Sequence, residues 1–325
     1  MQDISRRDIV LTAAAAAAAF GLDRPLAFIG AARAQSAPAA GQGVRRFSVG
    51  DIQMTMLYDG SADRPNERGF VRNASIEDLK GALRAAKMPD DNVPNFFTVP
   101  AARVGNRTVL FDAGTGGQIG PSTGLMASNM QAAGIDPAAV DLVLISHFHP
   151  DHISGLMARE TNAALYPKAE IVMHQTEYAW WTDAAVFARL PEARHGLARR
   201  IQAVFPSWKE AGRIRLVGDD VEVAPGIRTI GAPGHTPGHM AFHVSSGRDQ
   251  LLVLADTVTY EPLFLRNPGW HAAFDADGQL AEANRRRLLQ RAVTEGMMVA
   301  AYHFTYPAAG RIAKDGDGYA FTPVA

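Results

Sequence analysis

The sequence predicts an α/β fold. Its clearest strand, Val140–Ile145, is a continuous apolar run of the kind buried in the centre of a sheet. Other strand-like segments occur along the chain, separated by helical ones. A glycine turn, an apolar strand and an aspartate also occur twice in the same order, at Gly105–Asp112 and Gly247–Asp256, a weak repeat of the kind that two similar halves packed face to face would produce.

The segments before this strand predict four strands and two helices. Val44–Val49 and Ile52–Tyr58 alternate in hydrophobicity around a glycine-aspartate turn, which predicts a hairpin. Ser75 and Asp78 have the spacing of a helix N-terminal cap. The other predicted elements here are strands at Phe96–Val104 and Thr108–Phe111 and helices at Ser75–Ala86 and Gly124–Ala133.

The segments after it begin with another strand and a long helical stretch rich in aromatic residues, Glu177–Trp208. A second group of strands and one further helix follow. The predicted strands are Ala169–His174, Arg213–Val217, Ile227–Ile230, Met240–Val244, Leu251–Ala255 and Met298–Ala301, and the helix is Leu280–Thr294.

The composition of the chain limits its domain count, its partners and its possible metal ligands. The 325 residues can bury a large core, and we expect one domain over 44–325. The balance of 32 basic and 33 acidic residues predicts no nucleic-acid partner. The chain has no cysteine, so any metal site must use histidine and carboxylate ligands.

The first 34 residues predict an export signal. Paired arginines, Arg6 and Arg7, precede an alanine-rich run, and Ala32–Ala34 has a small-x-small cleavage pattern. We therefore expect export by the twin-arginine route, a periplasmic or secreted protein, and a flexible leader over 35–43. Charged residues and a proline interrupt the apolar stretch, so no stable membrane insertion is expected after cleavage.

The segment directly after the buried strand carries the chemistry. Four potential metal ligands fall within six residues there, in the pattern H-x-H-x-D-H. A loop at the end of a core strand can turn several side chains into one cavity, and imidazole and carboxylate are the usual ligands of Zn²⁺. The four residues are His147, His149, Asp151 and His152.

Three further candidates stand at the ends of later strands. His235 lies in a loop rich in glycine and proline, while Asp256 and His303 follow apolar strands. Open sheets place their sites at such strand ends, so we expect these three side chains to join the motif.

The motif and its partners resemble the metallo-β-lactamase superfamily over about residues 44–325. The resemblance implies a four-layer αβ/βα sandwich and two divalent metal ions, with zinc as the default and Mn²⁺, Co²⁺ or Fe²⁺ as alternatives. Asp256 would bridge the metals, and Asp112 would support the histidines. The implied ligand sets are His147, His149 and His235 for one metal and Asp151, His152 and His303 for the other.

The sequence is similar in particular to the methyl parathion hydrolase and aryl-lactonase group. Segments that carry this similarity include Glu177–Trp181, Gly234–His239 and the tail Tyr302–Val324. The resemblance implies a homodimer and places Trp181 in the substrate pocket, with Ile119 where the group has another aromatic residue. Phe264 and Trp270 are further candidates for an apolar pocket wall.

The expected reaction is hydrolysis of a small-molecule lactone or aryl ester, or of an organophosphate triester. Two metals that share a water lower its pKa from about 15.7 to near neutrality, which would supply a bridging hydroxide. Asp151 and Asp256 are the expected catalytic residues, and Asp151 would also pass a proton to the leaving oxygen.

Other functions stay open. A metallo-β-lactamase acting on β-lactam antibiotics would share the fold, but those enzymes have Cys or Ser in place of Asp256. An acyl-homoserine lactonase or a thioester hydrolase would share the ligands, although the resemblance puts the tyrosine of the former at Thr259, one residue before Tyr260. A non-catalytic metal-binding protein is the alternative outside the enzymes. Arg285–Arg287 predicts a solvated helix face.

Overall fold

The computed structural model describes residue 38 and residues 41–66, 69–190 and 192–324. The predicted export signal at 1–34 and most of the predicted leader at 35–43 lie outside the described residues. Among the residues that are described, no helix has both the length and the apolar character needed to cross a membrane.

The first large sheet has seven strands in the order β1-β2-β5-β6-β7-β8-β9. The first three neighbouring pairs are antiparallel, and the last three pairs, from β6 to β9, are parallel. The strands are β1 (Val44–Val49), β2 (Ile52–Ser61), β5 (Phe96–Val104), β6 (Arg107–Phe111), β7 (Leu142–Ile145), β8 (Glu170–His174) and β9 (Ile214–Val217).

The second large sheet also has seven strands, which follow one another in chain order from β10 to β16. Only β13 and β14 pair in parallel. The strands are β10 (Glu222–Ala224), β11 (Ile227–Gly231), β12 (Met240–Ser246), β13 (Asp249–Val253), β14 (Met298–Ala300), β15 (Ala309–Asp315) and β16 (Gly318–Pro323). A small separate sheet pairs β3 (Arg64–Pro65) with β4 (Asn92–Val93).

Strand β7 shows why a continuous apolar run was needed. Leu142 and Leu144 belong to the core between the two sheets, whereas Val143 and Ile145 belong to the core between the first sheet and its helices. Successive side chains of a strand point to opposite faces, so a strand buried on both faces must be apolar at every position.

Helices cover the outer faces of both sheets and complete the four-layer αβ/βα sandwich, which confirms the predicted fold. Trp208 packs outside the first sheet, and Leu288 and Leu289 pack on the second. The helices are α1 (Ile76–Ala85), α2 (Met126–Ala132), α3 (Pro150–Ile153), α4 (Gln175–Thr182), α5 (Ala184–Arg189), α6 (Glu192–Val204), α7 (Pro206–Glu210) and α8 (Gly278–Thr294).

Two predicted regions need correction. The helical stretch at 177–208 is divided into four helices, because Asp183 caps α5 through the Ala185 N–H (2.7 Å) and Pro206 starts α7. The tail after 301 contains the hairpin β15–β16, which the sequence reading omitted. Its two-residue glycine-aspartate turn was the available signal.

Gly155 packs closely against the backbone of Ala113, and the position of the motif loop depends on this contact. A Cβ at this position would lie 1.9 Å from the backbone oxygen of Ala113. We expect Gly155→Ala to lower the free energy of unfolding by about 1–3 kcal/mol, since backbone must move to make room. Urea unfolding followed by circular dichroism measures the change.

Gly81 provides the matched control. It lies within helix α1, and a Cβ there would have no neighbour within 4 Å. Gly81→Ala should therefore raise the free energy of unfolding by about 0.5–1 kcal/mol. Equal stability of the two variants would contradict the packing described for Gly155.

Candidate metal centre

Four loops carry the predicted ligands, and each loop follows the carboxyl end of a strand. Strand β7 leads into His147–His152, while β11, β13 and β14 lead to His235, Asp256 and His303. Pro150 begins helix α3 within the motif, so the chain turns there and directs the residues on either side toward one space. The strand ends thus place all four loops at the same edge of the sandwich.

The structure brings the seven predicted ligands into two neighbouring groups. Within each group the candidate ligand atoms lie within 4.8 Å of one another. His149 is half-buried, and the other six residues are at most 4% exposed. The division agrees with the two ligand sets that the resemblance implies, and metal binding by these residues stays a prediction. The groups are His147, His149, His235 and Asp256, and Asp151, His152 and His303.

Asp256 lies between the two groups. Its Oδ2 atom is 3.1 Å from His235 Nε2 and 3.3 Å from His303 Nε2. Its Oδ1 atom is 3.3 Å from His152 Nε2. One carboxylate therefore faces imidazole nitrogens of both groups, which is the geometry that a bridging ligand requires.

Three imidazole rings converge in the first group. His149 Nδ1 lies 2.9 Å from the Nε2 atoms of both His147 and His235. Burial lowers the pKa of His147 well below its ordinary value, and the nearby His152 and His149 lower it further. A neutral imidazole offers its lone pair to a cation, so the group has the donor atoms that a divalent metal needs.

The buried carboxylates favour the protonated forms of His152 and His235. Burial would lower the pKa of His152, but Asp256 and Asp112 raise it well above the ordinary value. Burial also opposes the charged form of His235, yet Asp256 raises its pKa to about 9. Burial would raise the pKa of Asp256, but neighbouring histidines, His303 first, hold it well below the ordinary value.

Asp112 holds the start of the motif loop. Its Oδ1 atom accepts a hydrogen bond from the Ser146 backbone N–H (2.7 Å), and its Oδ2 atom accepts one from the Ser146 hydroxyl (2.8 Å). The same Oδ2 lies 2.8 Å from His152 Nδ1. This contact fixes the imidazole ring and leaves its Nε2 facing Asp256.

Two other ligand rings are held through their Nδ1 atoms. His303 Nδ1 lies 2.8 Å from the Phe96 backbone oxygen, and His235 Nδ1 lies 2.9 Å from Asp275 Oδ1. Asp275 is 1% exposed and also accepts a hydrogen bond from the Ala272 backbone N–H (2.9 Å). Asp275 was not predicted from the sequence, because it lies 40 residues from His235, whose ring it orients.

Glu177 joins the motif loop to the loop that carries His235. Its Oε1 atom accepts hydrogen bonds from the Phe148 backbone N–H (3.0 Å) and the Trp181 indole N–H (2.9 Å). Its Oε2 atom accepts one from the Gly238 backbone N–H (2.9 Å). Burial raises the pKa of Glu177, and these hydrogen bonds offset the increase in part.

His239 holds the backbone of Asp256 in place. Its Nε2 atom accepts a hydrogen bond from the Asp256 backbone N–H (3.1 Å). Burial is the main reason that its pKa falls to about 3, so the ring stays neutral and can accept this bond. His174, by contrast, lies at the start of helix α4 and contacts Asp219 at 3.3 Å.

The candidate ligands open into a narrow cleft of about 20 Å³. Its wall contains both hydrogen-bonding groups and aromatic rings, as expected of a small-molecule site. Besides five of the ligands, the cleft is lined by Arg64, Asn95, Thr259, Tyr260 and Phe274.

The four residues predicted to line the pocket lie elsewhere. Ile119 and Trp181 are 1% and 4% exposed in the core outside the first sheet. Phe264 is fully buried, and Trp270 lines a separate surface groove. None of the four lines this cleft, because these large apolar side chains lie in cores or in another groove, and their role in substrate binding stays a prediction.

Arg285 also differs from its prediction. It is 1% exposed, and its guanidinium carbon lies 4.9 Å from the centre of the Phe264 ring. It donates hydrogen bonds to the backbone oxygens of Thr257 (3.0 Å) and Trp270 (2.6 Å). The prediction of a solvated face is wrong for Arg285, while its two neighbours in the sequence are exposed as expected.

The fold and this cluster define a class of protein. The chain belongs to the metallo-beta-lactamase superfamily, whose family model matches residues 101–303. The matched range contains all seven candidate ligands, from the motif to His303.

Individual members of the superfamily match this chain at low sequence identity. An N-acyl homoserine lactonase of Bacillus sp is 23% identical over 156 residues, which are 48% of this chain and 53% of that protein. The match thus spans about half the length of that relative. A lactonase of the same name from Bacillus thuringiensis is 23% identical over 190 residues, 58% of this chain and 67% of the relative.

Two solved structures share the fold. One is AidC, a dizinc quorum-quenching lactonase in complex with an N-acyl homoserine product, with a TM-score of 0.79 and 22% identity over 87% of this chain and 98% of that chain. The other is the hydrolase AbOPH of the beta lactamase superfamily, with a TM-score of 0.80 and 24% identity over the same shares.

The contact between His235 and Asp275 can be tested through metal affinity. Asp275→Asn removes the negative charge that makes the imidazole a better donor. We expect affinity for Zn²⁺, measured by competition with a chromogenic chelator, to fall about 10-fold or more. Asp277→Asn is the matched control, because Asp277 caps helix α8 through the Leu280 N–H and asparagine caps equally well. Unchanged affinity in Asp275→Asn would remove this role.

Proposed function

We propose that this chain holds two divalent metal ions and hydrolyses small lactones or aryl esters. Three atoms of the candidate ligands are buried and make no well-aligned hydrogen bond among the described residues: His152 Nε2, Asp151 Oδ1 and Asp256 Oδ1, the first and last of which lie 3.3 Å apart. Buried polar atoms normally have a partner, and a cation in each group would provide it. The donor set therefore fits two metals.

The proposed ligands follow the two groups. His147, His149 and His235 would hold one ion, Asp151, His152 and His303 would hold the other, and Asp256 would contact both. Zinc is the first choice for imidazole and carboxylate ligands, with manganese, cobalt or iron as alternatives. When bound, such ions make hydroxide available near neutral pH and polarise the oxygen of the electrophile.

The position of Tyr260 in the cleft is the main support for the proposed substrate class. It lines the cleft, and its ring stacks on His303 at 5.8 Å between centres with 21° between planes. Burial raises the pKa of Tyr260, and Asp151 and Asp256 raise it further, so the phenol keeps its proton at neutral pH. It is placed to donate a hydrogen bond to a carbonyl oxygen as negative charge develops there. The lactonase relatives support the same class.

Asp151 has a second proposed role beside metal binding. Its Oδ2 atom lies 3.4 Å from His303 Nε2 and 3.6 Å from His152 Nε2, at the edge of the cleft. This carboxylate would take the proton of the hydroxyl group that has added to the carbonyl carbon, and would pass it to the leaving oxygen as the ester C–O bond breaks. A phenoxide leaving group needs little protonation, whereas an alkoxide released from an aliphatic lactone is a stronger base and needs it more.

The metal assignment predicts the behaviour of two ligand variants. His149→Ala and Asp256→Ala should each lower the bound metal per chain, measured by elemental analysis, and reduce kcat on the order of 100-fold or more. His243→Ala is the control, because His243 contacts Gln250 on the second sheet and belongs to neither group. Full activity of either ligand variant would overturn the assignment.

The substrate class predicts a ranking. The zinc-loaded protein should give a higher kcat/KM on dihydrocoumarin and N-hexanoyl-homoserine lactone than on methyl paraoxon or a chromogenic cephalosporin. Tyr260→Phe should lower kcat on both lactones about 100-fold, since it removes one hydrogen-bond donor from the transition state. If the cephalosporin were the best substrate, the protein would instead be a β-lactamase with an unusual bridging carboxylate.

A further inference from the structure

A second cavity, of about 330 Å³, lies beside the metal cleft. Four segments contribute one residue to the cleft and a near neighbour in sequence to this cavity. Since consecutive Cα atoms are 3.8 Å apart, the two spaces share these segments as a common wall. The pairs, with the cleft residue first, are Arg64 and Asp63, Asn95 and Phe96, Tyr260 and Glu261, and His303 and Thr305.

Glu261 is the unusual residue in the cavity wall. Its Oε2 atom is buried and has no hydrogen-bond partner among residues 41–66, 69–190 and 192–324. Burial raises the pKa of Glu261 to about 7. A buried acceptor without a partner is costly, which suggests that a ligand completes it. Glu261 also begins a π-helical turn, Glu261–Leu265, and such turns are frequent at functional sites.

The rest of the cavity fits a cation better than an anion. A second carboxylate, Asp63, lines it and is half-buried. Aromatic rings of Phe96 and Tyr306 supply apolar surface and negative ring faces, which attract cationic nitrogen. The one basic residue among the described lining, Lys87, is exposed and has left-handed backbone (φ +58°) at the rim.

We infer that this cavity binds a protonated amine with Glu261 as its carboxylate partner, and that the amine ends a substrate chain which extends past the common wall from the scissile bond in the metal cleft. The inference rests on the proposed function, because it assigns the substrate a reacting carbonyl in the metal cleft. The preferred substrates are then lactones or esters whose acyl chain carries an alkylammonium group. The cavity volume lies in the range of small-molecule pockets.

Two matched esters test this inference. 4-Nitrophenyl 6-aminohexanoate and 4-nitrophenyl heptanoate have chains of similar length that end in an ammonium or a methyl group. In the zinc-loaded full chain, Glu261→Gln should raise KM for the ammonium ester about tenfold and leave the heptanoate unchanged. Glu160→Gln, which changes an exposed glutamate, should alter neither value. An equal effect of Glu261→Gln on both esters would overturn the inference.

A binding measurement separates this inference from the proposed function. Titration calorimetry with hexylammonium chloride should show binding to the full chain, weaker binding to Glu261→Gln, and none with 1-hexanol. If neither ester is hydrolysed but hexylammonium binds through Glu261, the proposed function fails and the amine site stands. If the esters are hydrolysed but hexylammonium does not bind, the amine site fails. Thermal unfolding of Glu261→Gln at or above the Tm of the parent would show that folding is intact.

Discussion

The carboxylate of Asp256 lies against imidazole nitrogens that come from both halves of the molecule. His152 follows a strand of the first sheet, whereas His235 and His303 follow strands of the second. A buried carboxylate is strongly destabilising unless opposite charge or hydrogen-bond donors surround it. The two sheets must therefore pack in one register to complete this cluster, and the apolar core between them holds that register.

Other buried carboxylates keep the loops in place, and they do so mainly through backbone N–H groups. Asp112 accepts from the motif loop, Glu177 from both the motif loop and the loop after β11, and Asp275 from the segment before helix α8. Asp112 and Glu177 thus fix loops that hold candidate ligands, and Asp275 holds the ring of His235 through its Nδ1 atom. The ligands are thus oriented before any metal arrives, and this preorganisation favours both metal affinity and catalysis.

The sequence predicted what depends on local pattern and missed what depends on packing. The motif 146–152 and the strands before it are short-range signals, so the convergence of the seven side chains was expected from them, and the fold was expected from the family resemblance that they carry. Asp275 gave no such signal, because its role exists only through a contact with His235. The place of Trp181 could not be decided from the sequence, because an aromatic side chain suits a core and a pocket equally, and only the tertiary structure shows that its N–H donates to Glu177.

In the proposed function, substrate choice would rest in part on segments that are separate from those that hold the candidate ligands. Arg64, Asn95 and Phe274 line the cleft and come from segments that contribute none of the seven side chains. Such loops can change without disturbing the cluster, so family membership fixes the class of reaction more firmly than the substrate. The exception is the segment from Asp256 to Glu261, which passes from the bridging carboxylate through Tyr260 to the second cavity. A ligand in that cavity would contact the same short segment that carries the bridging ligand, and this links recognition of a remote group to the position of the reacting centre.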